Sequence, residues 1–89
     1  MAIAGNPKKL ALDVAHGYHQ FSPAVLRQYT PEDLKTILFN LNIVLKELRG
    51  RQIPPEDLEA MKDKNNQMRR LNQAINILQR YSSSKGIKI

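Results

Sequence analysis

Residues 31–58 read PEDLKTILFNLNIVLKELRGRQIPPEDL, and this stretch decides the fold class. After Pro31, apolar residues recur three or four positions apart, which places them on one side of an α-helix. They are Leu34, Ile37, Leu38, Leu41, Val44, Leu45 and Leu48. Gly50 predicts the end of this helix, because glycine readily adopts the left-handed conformation that terminates helices. The short segment before Pro55 predicts a turn into a second long helix, so that the two form an antiparallel hairpin.

The five prolines all stand where a helix could begin. Proline is favoured at the first helical position, and Asn6, Ser22 and Thr30 each precede a proline with a side-chain oxygen that can cap a helix. Gly17 adds a second stop signal besides Gly50. The predicted helices span residues 7–16, 23–29, 31–49 and 55–82. No stretch keeps the period-two pattern of a strand, so we expect an all-α fold, a small helical bundle with two short N-terminal helices before the hairpin.

Length and composition limit the chain to one small domain. It has 89 residues, 42% of them hydrophobic, no cysteine and a net charge of +6. We expect a single helical domain over residues 1–81, followed by a flexible tail over residues 82–89, because Gly86 and a run of serines disfavour helix. The longest apolar runs are far too short to span a membrane, and the first residues lack the pattern of a secretory signal. The sequence therefore predicts a cytoplasmic protein.

Residues that could carry chemistry are few. His16 and His19 are the two histidines, but no acid lies within their loop and Gly17 interrupts the helix between them, so we expect neither a metal site nor a cofactor. The paired acids at Glu32 and Glu56 begin predicted helices, where the helix dipole already accounts for them. There is no cysteine nucleophile and no glycine-rich phosphate loop. These absences favour a non-enzymatic protein with no small-molecule substrate.

Two sets of apolar residues lie off the main helical stripe. Phe39 and Ile43 project from nearly the opposite side of the first long helix, where we expect the N-terminal helices, or else another subunit, to cover them. In the second long helix, Leu58 and Met61 open an apolar stripe that resumes after Asn65. Its later members are Met68, Leu71, Ala74, Ile75, Ile77, Leu78 and Tyr81.

The second long helix outreaches the first. At about 1.5 Å per residue the two predicted helices measure about 40 Å and about 28 Å, so neither can cover the other fully. The end of the longer helix, from about Leu78 onward, must lie against the N-terminal helices or a partner. The candidate apolar interface is therefore Phe39, Ile43, Ile77 and Tyr81.

The other side of this helix is polar and basic. Lys62, Asn66, Arg69, Gln73, Asn76 and Arg80 are spaced alternately four and three residues apart, which places all six on one narrow face. We call these six residues the basic face. No acid follows Asp63, and residues 59–89 carry seven bases and two acids. The face could bind an anionic partner, or its arginines could pair with acids elsewhere in the fold.

Two functions from different classes fit these patterns. The first is a non-enzymatic adaptor or regulatory protein that binds other proteins and associates with itself, most simply as a homodimer, because Phe39 and Tyr81 belong to surplus apolar surface. An acidic protein partner fits the charge, with the basic face steering association. The alternative is a nucleic-acid-binding protein in which the basic face contacts the phosphates of DNA or RNA. A membrane partner fits less well, because the polar side is rich in amides and tryptophan is absent.

Overall fold

A computed structural model describes residues 6–87. In this part of the chain there are four helices and no strand, so the all-α class is confirmed. The helices are α1 (Pro7–His16), α2 (Pro23–Leu26), α3 (Pro31–Gly50) and α4 (Leu58–Ser84). The long helices α3 and α4 pack against each other, α1 packs against both, and α2 contacts α4. Parts of the predicted domain and tail, residues 1–5 and 88–89, lie outside the described residues.

Three helices begin where the prolines and caps predict. The side chains of Asn6 and Ser22 accept hydrogen bonds from the backbone amides of Lys8 and Val25, at 2.9 and 3.3 Å. Thr30 and Asp33 form a reciprocal capping box, in which each side chain accepts a bond of 3.1 Å from the other's backbone amide. Because these oxygens satisfy amides that have no partner inside the helix, they fix where each helix starts.

The predicted start of the fourth helix at residue 55 is wrong. Pro54 begins a turn that the amide of Asp57 closes by donating to the Pro54 carbonyl at 3.0 Å. Asp57 then acts as the N-cap, because its side chain accepts from the amide of Ala60 at 3.0 Å. Glu56 therefore lies outside the helix, and Glu59 is the acid of its first turn. An acid that binds the free amides directly defines the start better than a proline alone.

Two other boundaries also differ from the prediction. Helix α2 ends at Leu26 rather than 29, and the next residues continue as tighter turns in which Gln28 and Tyr29 donate to carbonyls three positions back. Gly50 is the last residue of α3 and does not take a left-handed conformation, since the positive-φ glycines of the described chain are Gly17 and Gly86. Helix α3 ends instead because Arg51 is extended.

Helices α1 and α4 end on left-handed glycines. The predicted stop at Gly17 is confirmed, with φ at 84°. Its amide donates to Val14 and the amide of Tyr18 donates to Asp13, the two backbone bonds of the Schellman motif. Gly86, with φ at 72°, ends α4 through the same pair of bonds. In that motif the amide of Ile87 donates to the Ser82 carbonyl at 2.7 Å.

The first part of the predicted tail belongs to the fold. Helix α4 runs to Ser84, and Ser82 is only 1% exposed. Ile87 is half-buried and packs against the core. The serine run therefore continues the helix past residue 81, and the glycine cap and the packing of Ile87 support it.

The core lies between α1, α3 and α4. Of the predicted stripe on α3, six residues are buried and Leu38 is half-buried. Helix α1 contributes the small residues Ala11, Val14 and Ala15, which allow its backbone to approach its neighbours closely. Helix α4 contributes Leu71, Ala74 and Leu78. The buried residues of all the elements form one apolar cluster.

The two parts of α4 differ in burial. In residues 67–84, which we call the covered part, buried side chains recur every three or four positions. They are Gln67, Leu71, Ala74, Leu78 and Ser82. In residues 58–66, which we call the uncovered end, no side chain is buried. Leu58 and Met61 were expected to open the apolar stripe, but they are exposed and do not pack against the core cluster.

Candidate interaction surfaces

The basic face lies on the solvent side of α4. Five of its six residues are exposed and Asn66 is half-buried. The guanidinium of Arg69 donates to the side-chain oxygen of Asn66 at 3.3 Å. The side opposite this face holds the buried residues of the covered part, as the helical spacing predicts.

The cations of this face have no acidic partner within residues 6–87. The ion pair of the described chain joins Lys8 to Glu47 at 2.9 Å, between α1 and α3. Within residues 6–87, no carboxylate lies within 4.0 Å of Lys62, Arg69 or Arg80. Of the two interpretations of the face, pairing with acids inside the fold is therefore wrong for these three side chains, and their charges are open to solvent.

Phe39 and Ile43 are not covered in the way the sequence suggested. Phe39 is 66% exposed and Ile43 is half-buried, whereas Phe21, the other phenylalanine, is 5% exposed. The expectation that the N-terminal helices cover this side of α3 is wrong, because α1 packs with the opposite, buried stripe in the core cluster. An apolar side chain therefore remains in water on α3.

Ile77 and Tyr81 lie near the end of α4, where they share a groove with Pro23, the first residue of α2. Both are half-buried against the core, so this end lies against an N-terminal helix as predicted. They also form part of an open groove of about 520 Å³. The groove is lined by Pro23, Arg27, Ile77, Arg80, Tyr81, Ser84 and Lys85. It thus brings the predicted apolar residues together with Arg80 of the basic face.

This groove, which we call the cationic groove, has a distinct chemistry. Arg27, Arg80 and Lys85 line it, and no acid does. None of the three forms an ion pair with another described residue. The sequence pattern identified Arg80 but missed Arg27 and Lys85, because helical spacing within α4 cannot show that α2 brings Arg27 to the same place.

Arg70, the neighbour of Arg69, has a structural role. Its guanidinium donates to the carbonyl of Ala15 at 3.0 Å and so ties α4 to the end of α1. A Cβ built on Gly17 would lie 3.3 Å from the Arg70 Cζ. The left-handed backbone therefore favours glycine here, and a Cβ would also require the Arg70 guanidinium to shift slightly.

The histidines lie near this contact, and each one contacts an aromatic ring. The ring of His16 stacks on Tyr18 at 6.0 Å, and the ring of His19 meets the edge of Phe21 at 4.9 Å. His19 also lines a cavity of about 190 Å³ beside Arg70, and its buried Nε2 has no hydrogen-bond partner among the described residues. The described residues contain no group of three or more side chains suited to holding a metal ion.

Comparisons with known proteins assign no family. No protein-family model matches the chain, and neither the curated proteins nor the solved structures contain a significant match. Among the helices of residues 6–87, none has the length and apolar character needed to cross a membrane.

Proposed function

We propose that this chain is a non-enzymatic cytoplasmic protein that acts by binding other proteins, as an adaptor or regulatory protein, and that it associates with itself. The observation that carries the proposal is the exposure of two large apolar side chains, Phe39 at 66% and Leu58 at 74%. The described chain already has a continuous core without them. Neither side chain is therefore needed to close the fold, and burial against a second chain would remove both from water.

The size of the domain supports the same proposal. A chain of 89 residues buries only about two-thirds of the surface that its unfolded form exposes, so its own core supplies modest stability. Association with another copy adds buried apolar area and stabilises the folded form as the protein concentration rises.

Light scattering coupled to size-exclusion chromatography tests this function. We expect the mass to rise above that of one 10.2 kDa chain between low and high micromolar concentration. The double variant Phe39→Ser plus Leu58→Ser should lose this increase. The matched control is Asn72→Ser plus Gln79→Ser, two exposed polar positions on α4, which should behave as the unmodified chain does. A strictly monomeric unmodified chain that also binds no hydrophobic dye would contradict the proposal.

Nucleic-acid binding is a second candidate, and one observation favours it. Lys62, Arg69 and Arg80 lie on one face of a helix and form no ion pair with another described residue, which leaves their charges available to phosphates. Three cations along this face are too few for strong binding, however. The stretch from Lys62 to Arg80 is about 27 Å long, and a DNA duplex carries about sixteen negative charges over that distance.

The salt dependence of binding tests this candidate. Three phosphate contacts predict that the logarithm of the association constant falls with the logarithm of salt concentration with a slope of about −2.7. Arg69→Ala plus Arg80→Ala should reduce the slope to about −0.9. If neither DNA nor RNA binds at low salt, or if binding does not respond to salt, this candidate is excluded.

A further inference from the structure

We propose that the cationic groove binds the acidic turn of a second copy of this chain, namely residues 56–59 with Leu58 as the anchor. The inference rests on the proposed function, because it names the surfaces through which the chain associates with itself. Its basis is the complementary chemistry of two regions at opposite ends of α4.

The groove offers an apolar floor with a cationic rim. Ile77 and Tyr81 present apolar surface that is only half-buried, and Pro23 adds to it. Arg27, Arg80 and Lys85 surround this surface without a described carboxylate partner. A fitting ligand therefore carries an apolar side chain flanked by carboxylates.

The start of α4 has this composition. Glu56, Asp57 and Glu59 surround Leu58, whose side chain is 74% exposed. Asp57 is occupied as the N-cap, but Glu56 and Glu59 form no ion pair with another residue of the described part. The turn thus presents one leucine and two free carboxylates to a groove that presents apolar surface and three free cations.

The turn cannot reach the groove of its own chain. Leu58 and Tyr81 lie on one continuous helix, 23 positions apart, which corresponds to about 35 Å. The contact must therefore form between two copies. A reciprocal exchange of turns would fill both grooves and close the assembly as a dimer.

The groove suits this turn better than a nucleic acid. Phosphate contacts would use the whole basic face, but Lys62 and Arg69 do not line the groove. A phosphate backbone would also leave Leu58 in water, whereas docking of the turn covers Leu58 and the groove floor together. The two proposals also make different predictions for Arg69, because only nucleic-acid binding needs this side chain.

Charge reversal with mixing tests the inference on the full chain. The groove variant is Arg27→Glu plus Arg80→Glu, the turn variant is Glu56→Lys plus Glu59→Lys, and circular dichroism verifies that each remains helical. By sedimentation velocity at low salt, we expect each variant alone to show a self-association constant weakened by about tenfold or more. Mixing the two should restore association in a one-to-one complex, because the reversed charges again face their opposites. Arg69→Glu is the matched control and should associate as the unmodified chain does.

The possible failures have different meanings. If the unmodified chain associates and both reversed variants associate equally well, the inference is overturned while the proposed function stands. If Arg69→Glu weakens association as much as the groove variant, or if mixing restores nothing, the groove is not the binding surface. If the unmodified chain is monomeric, both proposals fail. If the groove variant loses nucleic-acid binding but still associates with itself, the inference is overturned and the second candidate function is favoured.

Discussion

The uncovered end and the covered part of α4 share one helical geometry but differ in what lies against them. From Gln67 onward, a buried side chain recurs at each turn, and Arg70 and Ile77 lie beside residues of α1 and α2. From Leu58 to Asn66 no side chain is buried, although two of the residues are large and apolar. Helical periodicity therefore predicts which side an apolar residue occupies, but it does not predict whether the fold provides anything to cover it.

The largest expected effect comes from shortening a leucine in each part. Leu71→Ala should lower the free energy of unfolding by about 2–5 kcal/mol, because it leaves a cavity in the core. Leu58→Ala should change it by no more than about 0.5 kcal/mol, because its side chain is in water. Urea unfolding followed by circular dichroism, at a concentration where the chain is monomeric, measures both. Similar values for the two variants would show that the uncovered end is packed in solution.

A second test compares two adjacent arginines. Arg70→Ala should lower the free energy of unfolding by about 1.5 kcal/mol, because it removes the charged hydrogen bond to the Ala15 carbonyl. Arg69→Ala, one position earlier, removes an exposed side chain and should change stability by no more than about 0.5 kcal/mol. The same urea titrations measure the pair. Equal losses would mean that Arg70 does not hold α4 to α1.

A third test concerns the N-cap of the uncovered end. Asp57→Ala should destabilise α4 by about 1 kcal/mol, because the amide of Ala60 loses its acceptor. Since few buried contacts hold residues 58–66, this loss should appear as local opening. Hydrogen exchange measured by NMR should then accelerate at residues 58–66 and remain unchanged near Leu78. Uniform acceleration along α4 would show that the helix opens as a single unit.

The smallest expected effect concerns Tyr29, which follows α2 and packs against the core. Burial, with a further contribution from the negative charge of Asp33, raises the pKa of Tyr29 above its ordinary value of 10.0. The folded chain therefore holds this proton more tightly than the unfolded chain, and stability should fall as the pH rises above about 10. Tyr29→Phe should lose less stability than the unmodified chain between pH 9 and about pH 11, as measured by urea unfolding. Identical pH dependence would contradict the shift.

Much of the fold was predictable from local chemistry. Asn6, Ser22 and Thr30 act within a few residues of sequence, so their caps could be recognised directly. The helix start predicted at Pro55 was wrong because a nearby acid, Asp57, caps the first amides of α4. The left-handed conformation predicted at Gly50 was wrong because glycine permits this conformation without requiring it.

The candidate site was less predictable, because its parts come from separate elements. The basic face was evident in the spacing from Lys62 to Arg80, since it lies on one helix. The cationic groove also needs Arg27 from the turn after α2, and only tertiary packing brings that residue to α4. Whether Phe39 is covered depends likewise on where α1 docks, which no spacing within α3 specifies.

The hydrogen bond from Arg70 to Ala15 joins residues 55 positions apart, and this separation affects the order of folding during synthesis. Local contacts between α3 and α4 close a short loop, whereas the docking of α1 onto α4 closes a much longer one and incurs a larger entropic cost. A nascent chain cannot complete its core until Leu71, Ala74 and Leu78 have left the ribosome. Until then Val14 and Phe21 lack part of their apolar cover, so we expect the growing chain to be most prone to aggregation just before its last helix emerges.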